Sequence, residues 1–210
     1  MNGLWGLFPA LVTDIVDPDR LGRVQVSLPG LGEDGADVRH WATLLTPYAD
    51  DDQGFCAYPA VGSQVVVGFE AGDAARAYIV GSCWNGKESP PTPATRQNDR
   101  RVLRTRAGSV LQFDDAAGST SITLRTDSGH ELVLDAGRSE IRLTHSAGFG
   151  ITLSASGSVD IVGNGPVTVT APQLSVHAPM AMFDGVVKCS TLITESVVSP
   201  MYTPGAGNVW

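Results

Sequence analysis

From Leu111 to Val176 apolar and polar residues alternate in short runs, and the runs crowd together along the chain. Apolar residues separated by a single position stand at Leu111/Phe113, Ile122/Leu124, Leu132/Leu134, Ile141/Leu143, Ile151/Leu153, Val159/Ile161, Val167/Val169 and Leu174/Val176. Successive side chains of a strand point to opposite faces, so each pair predicts one short strand with an apolar face. From pair to pair the steps are 11, 10, 9, 10, 8, 8 and 7 residues. Strands that return so soon are joined by tight turns, and shorter rungs enclose a narrower section. The expectation is a tapering stack with these sixteen residues as its core. Ala107-Gly108-Ser109-Val110-Leu111-Gln112-Phe113-Asp114, Ser128-Gly129-His130-Glu131-Leu132-Val133-Leu134-Asp135 and Ala147-Gly148-Phe149-Gly150-Ile151-Thr152-Leu153-Ser154 share one pattern at intervals of 21 and 19 residues, so each repeat is two rungs.

Such a stack is poorly supported by one chain. A rung orders some eight residues, at about 1–2 kcal/mol of backbone entropy each. Its two apolar side chains return only about 1.5–3 kcal/mol apiece on full burial. The deficit shrinks if several chains share one core and every strand edge is paired. Three chains wound together give a three-faced prism with free edges only at its ends.

Residues 4–82 carry a different pattern and predict five or six strands: Leu4–Val16, Arg23–Leu28, His40–Leu45, a short stretch near Phe55–Tyr58, Gln64–Glu70 and Arg76–Gly81. Asp17-Pro18-Asp19-Arg20-Leu21-Gly22 has the turn chemistry to join the first two as a hairpin. Gln64–Glu70 is too apolar for a strand with a wet face and is expected centrally. A closed five-stranded barrel of the OB type is the economical arrangement at this size. The predicted fold is all-β: an N-terminal OB-fold barrel followed by an intertwined trimeric β-helix, a tapering spike. Its expected parts are an OB-fold domain over 1–90, a Pro/Arg-rich linker over 91–106, a triple-stranded β-helix over 107–188 and a tip segment over 189–210.

Composition agrees with strands. Twenty-four Gly and 13 Pro among 210 residues suit chains punctuated by turns rather than long amphipathic helices. The net charge of −8 argues against nucleic acid, whose affinity rests on Lys and Arg displacing counterions. Residues 1–95 hold 12 acidic and 5 basic side chains, a net of −7, whereas residues 96–210 hold 10 and 9, a net of −1. Arg96, Arg100, Arg101, Arg104 and Arg106 lie between two acidic elements and are expected to be solvated or to pair within the protein. No basic region precedes the first apolar stretch, so assembly in the cytoplasm without a signal peptide is expected.

Candidate chemistry is sparse. Asp50, Asp51 and Asp52 are adjacent, point different ways and lack EF-hand spacing, which predicts a solvated loop. His40, His130, His145 and His177 show no ligand spacing, and no Ser or Cys stands in a nucleophile-elbow context. No catalytic residue, metal site or cofactor is expected. Cys56, Cys83 and Cys189 form no CxxC pair and are expected to be small buried hydrophobes. Asp114, Asp115 and Asp135 fall at rung corners, where Asp caps turn backbone. Trp5, Trp41 and Trp84 are expected to pack in the core or between subunits.

Several ordered motifs together resemble a known family, the baseplate assembly protein V and VgrG-type spike proteins of contractile phage tails and extracellular contractile injection systems. In the barrel they are Asp17 to Val26, His40-Trp41-Ala42, Pro59 to Val67, Phe69 to Asp73 and Ile79-Val80-Gly81; in the rod, Arg106-Ala107-Gly108 leading to Phe113-Asp114-Asp115, and Ser128 to Asp135. The resemblance implies a homotrimer whose barrels meet tube, hub and baseplate proteins, and whose β-helix pierces the target envelope, touching the membrane only on firing. It would be part of a virion or a released injection particle. The segment ending Met201-Tyr202-Thr203-Pro204-Gly205-Ala206-Gly207-Asn208-Val209-Trp210 resembles the terminus of small spikes, which implies Tyr202, Pro204 and Trp210 at the tip, as the seat of a PAAR-type protein or an effector. Two features depart from some family members: no lysozyme-like insertion is present, and Ser175-Val176-His177 lacks the His-x-His pair that binds a tip iron. Two other readings compete. One is an OB-fold binder of oligosaccharide or single-stranded nucleic acid on a β-rod stalk. The other is a β-helical glycan hydrolase, for which Glu131, Asp135 and Glu140 make no obvious carboxylate pair.

Overall fold

A computed structural model describes residues 3–199; the expected tip residues Tyr202, Pro204 and Trp210 lie outside them. The chain divides into two units, Met1–Gly165 and Pro166–Trp210. The first holds all fourteen strands assigned among the described residues.

Strands β1 (Leu7–Asp14), β2 (Arg23–Leu28), β3 (Val38–Leu44), β6 (Gln64–Phe69) and β7 (Ala77–Ser82) close a barrel in the order β1-β2-β3-β7-β6. All pairings are antiparallel except β3 with β7, the crossover that makes the order 1-2-3-5-4 of an OB fold. Alternation in each strand supplies the core. Val24, Val26 and Leu28 from β2, Val65 and Val67 from β6, and Ala77 and Ile79 from β7 point inward to join Ala10, Val12 and Ala42. Every one of these ten is at most 4% exposed. The strand at Gln64–Phe69 is paired on both sides, and its Val66 faces outward beside Pro9 and Gly81.

One expected strand is absent. Phe55–Tyr58 is coil, because the Phe55 N–H turns back to the Tyr48 carbonyl (3.0 Å) and closes an earlier two-residue ladder, β4 (Ala49–Asp50) with β5 (Gln53–Gly54).

The second sheet is a seven-stranded antiparallel meander. Its strands are β8 (Arg100–Arg104), β9 (Val110–Asp114), β10 (Ser121–Arg125), β11 (Glu131–Asp135), β12 (Glu140–Thr144), β13 (Gly150–Leu153) and β14 (Val159–Val162). Arg100–Arg104, within the stretch expected to be linker, is its first strand. Arg100 reaches Asp114 (3.1 Å) and Arg101 reaches Asp115 (3.7 Å), so the arginine cluster pairs within the protein. Consecutive strands are hydrogen-bonded neighbours throughout, so over residues 100–162 the backbone pairs within one chain rather than winding between rungs. Residues 163–199 contain no assigned strand.

Candidate functional site

The meander is one layer thick, and its registers sort its side chains. Across the strands Arg101, Phe113, Ile122, Leu134, Ile141, Leu153 and Val159 lie opposite one another in one column. Leu103, Leu111, Leu124, Leu132, Leu143, Ile151 and Ile161 form a second column two residues away, hence on the same face. Thirteen of these fourteen positions are apolar, yet this is the bare face. Leu111, Leu132 and Ile151 are half-buried; the other ten range from 39% exposed at Ile122 to 60% at Val159.

The opposite face is more polar and better covered. Its central column runs Val102, Gln112, Thr123, Val133, Arg142, Thr152 and Asp160, and Val133, between Thr123 and Arg142, is only 9% exposed. Long polar side chains cover apolar neighbours with their stems, which the branched side chains of the other face cannot do for one another. Twelve of the sixteen expected core residues thus share one unpartnered face. Val167, Val169, Leu174 and Val176 lie outside any strand and are exposed.

The repeated glycine explains how the turns stack along one edge. Gly108, Gly129 and Gly148 have φ of +91°, +89° and +86°, a region that disfavours L side chains. Gly108 and Gly148 also leave room for the next turn on the same edge, whereas at Gly129 a Cβ would make only ordinary contact. A Cβ on Gly108 would lie 2.7 Å from Asp127 Oδ1, one on Gly129 3.6 Å from Ser146 Cβ, and one on Gly148 2.6 Å from Asn164 Nδ2. Asn164 also donates to the Ala147 carbonyl at 3.2 Å. His130 and His145 join this edge with ring centroids 4.3 Å apart, each Nδ1 accepting a backbone N–H, from Ser146 and Ala147 respectively. They cap turns. Asp114 and Asp135 do the same, accepting the N–H of Ala116 and Arg138.

Asp135 and Glu140, unpaired by sequence reasoning, are directly opposite in register. Each is held by its own arginine, Arg138 at 3.8 Å and Arg142 at 3.1 Å, which offsets the like charge between them. Among the described residues no three His, Cys, Asp or Glu side chains gather as a metal site requires. Nor is any helix there long and apolar enough to cross a membrane. Cys56 and Cys189 are exposed and Cys83 half-buried, which corrects the expectation of buried cysteines. Trp5 and Trp84 are exposed as well, so neither packs in the core of the single chain.

On the barrel the sequence motif around Asp17 becomes a lock. Its carboxylate, 4% exposed, accepts the backbone N–H groups of Asp19, Leu21 and Arg23 and two bonds from the Arg23 guanidinium. The Arg23 guanidinium, and then these N–H groups, hold the Asp17 carboxyl well below the usual carboxylate range against the opposing effect of burial. Asp17 likewise raises Arg23. Arg23 also bonds Asp19 and lies over Trp41, 5.8 Å from the ring centroid. Nearby, Glu70 accepts from the Tyr78 hydroxyl (2.9 Å) and Arg76 (2.8 Å), which lower its pKa, while Glu70 raises that of Tyr78. Arg23 and Arg76 are therefore committed to carboxylates, an arrangement unsuited to gripping phosphates.

Comparison with known proteins places the barrel in a recognised context. A family model for the Type VI secretion system/phage-baseplate injector OB domain matches residues 8–84, the extent of the barrel. The chain is 26% identical over 130 residues to the type VI secretion system spike protein VgrG3 of Vibrio cholerae serotype O1, covering 59% of this chain and 13% of that protein. It is 28% identical over 113 residues to the actin cross-linking toxin VgrG1 of a second Vibrio cholerae serotype O1 strain, covering 50% of this chain and 10% of the toxin. The chain thus spans only a small fraction of the length of these relatives. Residues 8–84 thus match the Type VI secretion system/phage-baseplate injector OB domain, and the chain is similar to VgrG-type spike proteins.

Proposed function

We propose that this chain is the central spike of a contractile injection system, working as a homotrimer. The observation that carries the reading is the bare face of the meander: two apolar columns, in register over six strands and joined by Leu103 in the seventh, with no cover from their own chain. Apolar surface on this scale marks an interaction site. Three copies turning these faces to a common axis bury all three at once and need no other partner.

The backbone pairing supports one mode of association in this reading. Over residues 100–162 each chain contributes a complete sheet, so the three chains pack face to face and are not braided there. Beyond Gly165 the alternation continues at Val167/Val169 and Leu174/Val176 without strands of the same chain beside them. The intertwined part of the spike is assigned to this stretch, where strand partners come from the other copies.

In this reading the barrels attach the spike to tube, hub and baseplate proteins, and the opposite end meets a PAAR-type tip protein or an effector. Contraction drives the spike through the target envelope, so membrane contact is transient and the work is mechanical. Light scattering on the purified chain tests the assembly: a mass of three times 22.0 kDa is expected, and a stable 22.0 kDa species at micromolar concentration overturns it.

A further inference from the structure

Between β3 and β6 the chain builds a recess of about 390 Å³ on the barrel, beside the short hairpin β4–β5. Three aromatic rings line it, Tyr48, Phe55 and Tyr58, each about half exposed. Their frame is fixed. The Tyr48 hydroxyl donates to Gln53 Oε1 at 2.7 Å, and the Thr46 hydroxyl donates to the Phe55 carbonyl at 2.7 Å. The Tyr58 hydroxyl rests against Gly22, where a Cβ would lie 3.3 Å from it.

Asp50 and Asp52 line the same recess, and no Lys, Arg or His does. Asp50 accepts only the N–H of Asp51, and Asp52 enters no hydrogen bond or ion pair among the described residues. At three other turns of this chain the carboxylate meets an arginine: Asp17 has Arg23, Asp114 has Arg100 and Asp135 has Arg138. Here aromatic walls and free carboxylates converge with no cation of their own.

We propose that this recess receives an arginine or lysine side chain presented by a partner protein. The ring faces attract a cation within about 6 Å of their centroids. They also cover the apolar stem, while Asp50 and Asp52 meet the charged head. A protein side chain is the fitting source because Leu44, Ala49 and Phe55 give the recess apolar wall that a small cation would leave bare and a long apolar stem covers. The naming of that partner as a particle protein rests on the proposed function, but the chemistry of the recess does not depend on how the meander associates.

Fluorine NMR of the full-length chain labelled with fluorotyrosine tests the proposal. Titration with N-acetyl-arginine amide or N-acetyl-lysine amide is expected to shift the Tyr48 and Tyr58 signals saturably and leave Tyr78 unmoved. N-acetyl-norleucine amide, similar in length and uncharged, is expected to do neither. Asp52→Asn weakens the basic probes by about fivefold, the scale of one exposed charge interaction. Asn tolerates the positive φ of 53° at this position, so the hairpin is kept, and an unchanged Tyr78 signal verifies the barrel. The proposal is overturned by absence of saturable shifts, by an equal response to norleucine amide, by full affinity in Asp52→Asn, or by tighter binding of choline than of arginine amide. A monomeric mass with intact probe binding would instead remove the trimer and leave the recess standing.

Discussion

The barrel and the meander are written in the same alternating code and treat it in opposite ways. In the barrel five strands close on themselves, so inward residues such as Val26, Val67 and Ile79 are fully buried by their own chain. In the meander the strands never close, and equivalent residues such as Leu124 and Leu143 stay 53% and 44% exposed. In both regions consecutive or neighbouring strands are joined by backbone ladders. What differs is the cover: the barrel covers its own core, and the meander leaves one apolar face uncovered by its own chain. Alternation identifies residues that gain from burial; closure decides whether one chain can provide it.

The strongest way to break this contrast is to charge the bare face. Leu132→Asp with Leu143→Asp, directly opposite in register, would place six carboxylates at the axis of the proposed trimer, each costing several kcal/mol to bury unpaired. The expected outcome is a monomer by light scattering that keeps the circular dichroism of a folded barrel. In the barrel, Ile79→Ala removes a fully buried side chain and should cost about 2–5 kcal/mol. Denaturant melts should show that loss unchanged over a hundredfold dilution, whereas the loss from Leu143→Ala should vary with concentration.

A smaller effect sharpens the picture of the turns. Gly148→Ala forces an L side chain to a φ of +86° and should destabilise the meander by about 1–2 kcal/mol. Part of that cost comes from Asn164, so the penalty should fall when Gly148→Ala is made in an Asn164→Ala background, a double-mutant cycle read by thermal melts. Last is an effect seen only in acid. Asp17 is depressed in the folded barrel, so its contribution is complete above the unfolded carboxylate pKa near 4 and is lost as pH falls towards the folded value. Asp17→Asn should be less stable at pH 7 and should lack this acid-dependent loss in melts between pH 5 and pH 2.

Much of this was legible in the sequence, for reasons that particular residues make plain. Val24/Val26/Leu28 and Val65/Val67 keep strict alternation within their strands, so β2 and β6 could be placed nearly to the residue. The strand at Arg100–Arg104 was hidden because one apolar residue on the relevant face, Leu103, makes no pattern; the strand is held by its backbone ladder to Val110–Asp114, with Arg100 and Arg101 meeting Asp114 and Asp115. Phe55–Tyr58 misled because hydrophobicity without a partner strand does not make a strand. Whether rungs wind or fold back was not legible at all, since both produce the same alternation. The aromatic and acidic recess was equally hidden: Tyr48, Asp52 and Tyr58 are spread over a loop, and only the hairpin brings them to one wall.

In the proposed trimer the apolar face of the meander is covered by identical copies in solution. Carbene footprinting of the wild-type chain, read by mass spectrometry at single residues, tests it directly. Phe113, Leu124, Leu134 and Leu143 should be labelled as weakly as Val26 and Ile79 of the barrel, while exposed Trp5 is labelled strongly. Labelling of those four residues at the level of Trp5, in the same sample, would contradict the account.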